Sequence, residues 1–369
     1  MYSFLMRKWD FAPSCLALSV ASVYYFGLLG TYWAVTGEFT RWGGALLQAL
    51  HVNTDHLGYF KIIGLHGNFL ERIDGVMVLG MFIGMFCAAS LSGSICLSWP
   101  RIKELGRAIS GGILAGLGAR LGLGCNLASF LTGIPQFSLH AWFFTLATLL
   151  GMYLAFKCFP TPCFSPPKGK SIPLKISQLL GLFALVGFMG LLLCGYFSSK
   201  LTYALFFGYV FGFIVSKGQI CFTAAFARLF TQGQGLEASA LVWAMLVGSI
   251  GVMTYIRLGV MPKIMWASPG IVIGGLLFGF GIVIAGGCEC GWMYRTMQGE
   301  GRALFIGLGN IVGASLVALS WDFYAPLFTS FPKINLLDMG NLGLILQVIL
   351  LFVLYFIIQE VAKRVRGCI

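Results

Sequence analysis

The chain has little charge to spend on a solvated surface. Of 369 residues, 10% are charged and only 12 are acidic, against 58% hydrophobic. That composition excludes a soluble domain of this length. A mean hydropathy of +0.89 instead marks an all-α polytopic membrane protein with the lipid bilayer as its solvent. Nucleotide machinery is missing too. There is no Walker A loop and no dinucleotide-binding glycine fingerprint. No Ser/His/Asp set can be placed, so neither catalytic residues nor a cofactor are expected. The four histidines, His51, His56, His66 and His140, are not placed as paired haem ligands within spans, and His140 is expected to be structural. The eleven cysteines include no CxxC and form no disulfide spacing, which excludes a secreted disulfide framework. Cys288-Glu-Cys290 lacks the second thiol pair or histidine that would complete a metal site. A net charge of +12 would point to nucleic acid in a soluble protein. No basic run with interleaved aromatics exists here, so nucleic acid is excluded as a partner. The charge belongs to cytoplasmic loops.

What the chain does have is glycine and an internal repeat. Gly111–Cys125 (GGILAGLGARLGLGC) recurs as Gly274–Cys288 (GGLLFGFGIVIAGGC). The pairs Gly111/Gly274, Gly112/Gly275, Gly116/Gly279, Gly118/Gly281, Gly124/Gly287 and Cys125/Cys288 share the single offset of 163 residues. This register implies a duplication. A small-xxx-small stripe usually means helix packing, and a lone buried cysteine usually behaves as a small hydrophobe. A thiol fixed at the same place in both halves asks for more than packing.

About ten apolar spans are expected, near 12–35, 75–98, 108–125, 138–157, 176–197, 200–216, 237–256, 270–288, 303–320 and 342–358. The glycine-rich ones are expected to be broken or re-entrant. The first follows Arg7 and Lys8 and is expected to be an anchor, not a cleaved signal. Loop cations fall on one side: Arg7 and Lys8, then Arg101, Lys103 and Arg107, then Lys157, Lys168, Lys170 and Lys175, then Lys363, Arg364 and Arg366. The positive-inside rule then makes both termini cytoplasmic. The first loop, with Glu38, Asp55, Glu71 and Asp74, is expected outside. Its aromatics read as interfacial anchors; the alternative is a vestibule in which Arg41, Lys61 and Lys263 attract an anion. The expected organisation is a repeat half over 1–158, a Pro- and Lys-rich cytoplasmic linker over 159–175, and a second half over 176–369. Two inverted-topology repeats follow, because span three enters from the cytoplasm and span eight from outside. Each repeat cysteine lies roughly 20 Å of helix past its second glycine, in a hydrocarbon core of about 30 Å. Both thiols are therefore expected near mid-membrane.

A third thiol joins them. Gly218 and Gln219 break a helix and leave Cys221 at the head of the next. Cys125-Asn126 and Cys288-Glu289 follow glycines in the same way. Helix N-termini offer unpaired N–H groups to anions, and thiols are soft partners for sulfur or selenium. The candidate substrate site is Cys125, Cys221 and Cys288 with Asn126, Gln219 and Glu289. Arg120 and Arg295 either supply positive charge there or snorkel to a span end. The expected guest is a small inorganic anion with a soft atom and hard oxygens, such as thiosulfate or a selenium oxyanion. Two other readings stay open. One is a thiol–disulfide or persulfide-transfer enzyme. The other is a membrane subunit that docks a soluble partner on its basic loop, where a cytoplasmic sulfur or selenium carrier protein is the candidate.

Gly118-Ala-Arg120-Leu-Gly-Leu-Gly-Cys125-Asn, Gln219-Ile-Cys221-Phe-Thr and Gly286-Gly-Cys288-Glu-Cys-Gly-Trp292-Met-Tyr-Arg295 resemble the bacterial YeeE/YedE family of sulfur-transport membrane proteins. Thr36–Gly44, Gly58–Ile63, Thr132–Phe144 and Lys263–Ala267 look closest to the YedE branch, which is linked to selenium metabolism. The resemblance runs from about residue 24 to 340. It implies an inner-membrane transporter of paired inverted repeats. It also implies passage of the ion along Cys221, Cys125 and Cys288 by S–H···S contacts without covalent chemistry. The thiosulfate branch often carries Gly-His after this Gly-Cys motif, whereas here Asn126 follows Cys125. Cys290 is also outside the expected pattern.

Overall fold

The computed structural model describes residues 6–65, 67–159 and 169–368. His66, Cys163, Lys168 and most of the expected linker (160–168) lie outside the described residues. The elements are α1 (Phe11–Leu29), α2 (Thr36–Ala49), α3 (Gly58–Ile63), α4 (Ile73–Leu91), β1 (Cys96–Leu97), α5 (Ile102–Leu121), a π-helical turn (Leu127–Gly133) and α6 (Leu139–Cys158). Then come β2 (Lys170–Ser171), α7 (Leu174–Leu193), α8 (Ser199–Gly218), α9 (Phe222–Gln232), α10 (Leu236–Arg257), α11 (Pro269–Ala285), α12 (Glu289–Met297), α13 (Gly301–Thr329) and α14 (Asn341–Cys368). The only strands among the described residues are β1 and β2, which pair antiparallel and tie the end of the linker to the loop after α4.

Nine segments among the described residues are long and apolar enough to cross a membrane. Two of these combine helices, α8 with α9 and α11 with α12. α5 falls short of that standard, because Lys103, Glu104, Arg107 and Arg120 lie along it. It is nonetheless a central helix, packed on both α11 and α13.

Glycine explains the packing. A Cβ at Gly111 would overlap the backbone of Ala285, and one at Gly118 that of Phe278. Conversely, a Cβ at Gly281 would overlap Ala115, and one at Gly274 would overlap Gly122. Numbers rise along α5 as they fall along α11, so the two helices cross antiparallel. Each contact also has a mate displaced by the repeat offset: 111 on 285 matches 274 on 122, and 118 on 278 matches 281 on 115. The sequence duplication is therefore a spatial pseudo-two-fold about this crossing. The flanking pairs obey it as well. Gly112 and Gly116 of α5 abut α13 at Ile306–Ala314, while Gly275 and Gly279 of α11 abut α6 at Phe144–Met152. Between membrane helices, with no water to expel, such backbone approach supplies the attraction. Gly80 and Gly84 of α4 likewise meet Gly208 and Gly212 of α8, and α1 packs on α10.

The segment 36–63, expected as an outer loop, is instead folded into α2 and α3. Both pack on α13. The reason is a buried carboxylate. Glu38 is fully buried and accepts from Arg72 at 2.6 Å and Arg41 at 3.1 Å, and Arg41 also reaches Asp74 at 2.8 Å. Satisfying Glu38 fixes α2 against the start of α4. It also uses the charge of Arg41, which the vestibule alternative had left for an anion.

Candidate thiol site

Three helices end where three cysteines begin. α8 ends at Gln219, whose backbone is left-handed (φ 48°), and Cys221 is the N-cap of α9. α11 ends at Gly286 (φ 75°), and Cys288 is the N-cap of α12. α5 ends at Leu121; Leu123 is left-handed (φ 51°), and Cys125 opens the segment that leads into the π-helical turn. A left-handed residue terminates each helix and turns the chain, so the next N–H groups are left free.

The breaks converge on one another. Cys221 Sγ and Cys288 Sγ are 3.7 Å apart, with both residues buried. The Cys221 sulfur also accepts from the backbone N–H groups of Ala224 and Cys288. The Cys125 sulfur accepts from those of Leu127 and Ala128. Cys290, which the sequence left aside, is fully buried beside Cys288. The signal for it was its place two residues after a helix-capping cysteine, on the same first turn. Gly291 forms the floor of this cluster: a Cβ there would lie 2.7 Å from the Cys221 sulfur. Cys125 lies within electrostatic range of Cys290 and of Glu289. Trp292 walls the cluster against Phe39 and Phe82.

Around the thiols lie buried polar atoms without partners. Both amide atoms of Asn126 are unpartnered, as are Ser129 Oγ, Glu289 Oε2, Asn310 Oδ1 and Arg120 Nε. Buried polar groups are almost always hydrogen-bonded, so a cluster of orphans marks space for a polar guest. Glu289 Oε1 accepts from Asn310 Nδ2 at 2.9 Å. Arg120 is buried and makes no ion pair among the described residues. Its guanidinium donates to Tyr59 Oη at 2.8 Å and to Thr36 Oγ1. The guanidinium is thus held inside the protein by α2 and α3.

Two of the expected site residues are engaged by other partners. Arg295 makes a bidentate pair with Glu300 at 2.6 and 2.7 Å and donates to the Gly286 carbonyl at 2.7 Å. Its charge is compensated, and it braces the helix break that presents Cys288. Gln219 Oε1 accepts from Lys8 Nζ at 3.2 Å, away from the thiols; its backbone makes the turn. His140 bonds Ser138 at 2.5 Å. Among the described residues no cluster of His, Cys, Asp or Glu has the arrangement of a metal site.

Comparison with known proteins places this arrangement. The family model described as "Sulphur transport" matches residues 1–154 and 217–366. The chain is 47% identical to the "Probable transporter YedE" of Salmonella typhimurium, over 98% of this chain and 94% of that one. It is also 47% identical to the "Probable transporter YedE" of Escherichia coli K12, over 98% and 95%. It is 35% identical to the "Thiosulfate transporter TsuA" of Spirochaeta thermophila, over 32% of this chain and 40% of that one. This multi-pass membrane protein belongs to the sulphur transport family, a family of transporters and not of enzymes.

Proposed function

We propose that the protein imports a small anion carrying a soft sulfur or selenium atom, and that buried thiols hand the ion along. The carrying observation is the 3.7 Å contact between Cys221 and Cys288, each capping a helix inside the protein. The soft end of thiosulfate or of a selenium species meets the thiols. The hard oxygens meet the helix N-terminal N–H groups and the unpartnered Asn126 and Ser129. Arg120 supplies the compensating charge at low dielectric. Cys125, in the pseudo-symmetric position to Cys288, provides the next soft station. The name of the thiosulfate transporter it partly matches supports the sulfur class.

On this reading 1–158 and 176–369 are the two inverted halves, joined by 159–175. The cations of Arg101, Lys103 and Arg107 lie beside the β1–β2 ladder, on the face where Cys96 and Ser98 also hydrogen-bond to Gln298 and Gly299. The positive-inside rule makes that face cytoplasmic, in the inner membrane, with both termini on it. It is the face a cytoplasmic sulfur or selenium carrier protein would meet.

Vesicles holding the purified protein should take up labelled thiosulfate or labelled selenite with saturation. Cys158→Ala should leave the rate unchanged, since Cys158 is exposed at the end of α6. Uptake of neither ion above protein-free vesicles would refute the proposal.

A further inference from the structure

We propose that Glu289 carries a proton with the anion, so that transport is proton-coupled. The inference rests on the anion-import reading and assigns Glu289 a task within it.

The pseudo-two-fold sets up the argument. Cys125 and Cys288 are counterparts, so the next residues, Asn126 and Glu289, are counterparts too. Both are buried, at 1% exposure, and both leave polar atoms without partners. In one half the position holds an amide, which is neutral at every pH. In the other it holds a carboxyl group, planar like the amide, on a side chain one methylene longer. A polar group that does not titrate therefore serves at this position in one half. What the carboxyl group adds is the ability to take up and lose a proton.

Its surroundings are those of a proton carrier more than of an ion pair. Oε1 is occupied by Asn310 Nδ2, while Oε2 has no partner. No lysine or arginine makes an ion pair with Glu289 among the described residues. From α5, Arg120 lies within electrostatic range but donates to Tyr59 and Thr36. The other titratable groups facing it are Cys125 from the segment after α5, Cys221 at the head of α9, and Cys288 and Cys290 beside it. α13 contributes the neutral Asn310. Of the remaining helices packed against α12, α4 carries Asp74, bound to Arg41, and Cys87, bound to Tyr209 of α8. The other near cation of α8, Lys217, lies within range of Cys87. Arg228 of α9 is paired with Glu237.

An ionised Glu289 would repel an anion arriving among the thiols. A protonated one has an O–H at its free oxygen and can donate to that anion. Loading the proton thus favours binding, and losing it to the other side favours release. The anion and the proton then cross together, and neither bond order nor redox state changes.

The test uses vesicles of the full-length protein with a pH-sensitive dye inside and the membrane potential clamped. A pulse of labelled thiosulfate is followed simultaneously by label and by dye. The wild type should acidify the lumen with about one proton per anion. Glu289→Gln should lose acidification per anion that enters, whatever its anion rate, and Glu289→Asp should regain it. A structural role would reduce both fluxes together and leave their ratio unchanged. Should Glu289→Gln fail to fold, the wild-type ratio still decides. Thiosulfate entry without acidification in the wild type overturns the coupling while sparing the transport reading. An undiminished proton-to-anion ratio in Glu289→Gln also overturns it. No thiosulfate entry at all overturns the transport reading for that ion, and the coupling with it.

Discussion

Cys221→Ala and Cys288→Ala should each lower anion uptake by roughly 10- to 100-fold while the protein still reaches the membrane. The two sulfurs touch each other, so removing one deletes a soft contact without leaving a buried charge unpaired. A hydrogen bond to a charged partner is worth about 1.5–3 kcal/mol, and each 1.4 kcal/mol is about tenfold. That sets the range. The serine variants separate two explanations. Serine keeps a donor at nearly the same place but replaces a soft atom with a hard one. If softness matters, Cys288→Ser should resemble Cys288→Ala for thiosulfate. Recovery of near wild-type uptake in Cys288→Ser would show that only a donor is needed. Equal uptake by wild type, Cys221→Ala and Cys288→Ala would eliminate the thiol hand-over.

The second large effect concerns the fold. Gly118→Ala and Gly281→Ala should each destabilise the protein severely, because the added Cβ falls on the backbone of the opposing helix. Backbone cannot rotate away as a side chain can, so α5 and α11 must separate at their crossing. Overpacking of this kind costs about 1–3 kcal/mol where a side chain can yield, and more where it cannot. The same helix holds its own control. Nothing lies within 4 Å of a Cβ at Gly106, so Gly106→Ala should raise stability by about 0.5–1 kcal/mol from the backbone alone. Thermal unfolding in detergent reads both. A midpoint for Gly118→Ala at or above that of the wild type would contradict the antiparallel crossing.

The residues differ in how much they disclosed beforehand. Cys125, Cys221 and Cys288 were legible because each follows glycine or Gln219 at the end of an apolar run, and such breaks set a helix N-terminus inside the membrane. Arg295 was not. Its distance along the chain from Cys288 suited either a site cation or a brace, and only its pair with Glu300 shows the brace. Cys290 was passed over because its spacing matches no motif; its place against Cys288 depends on the first-turn geometry of α12. The segment 36–63 looked like a loop because its charges obscure its helical pattern. Glu38 neutralised by two arginines cannot be foreseen when Arg72 lies 34 residues away.

The sequence by itself determined that this is a helical membrane protein, that it is internally duplicated, and that thiols end the duplicated segments. Composition, offset and glycine placement are local or periodic, and they survive without coordinates. Only the tertiary structure decided which sulfurs touch and which arginine lacks an ion pair among the described residues. It alone revealed that Asn126 and Glu289, already matched by the sequence offset, are both buried with polar atoms to spare. Those facts depend on how α5 and α11 cross, and the crossing is set by backbone contact between residues about 160 apart in the chain, which no local pattern records.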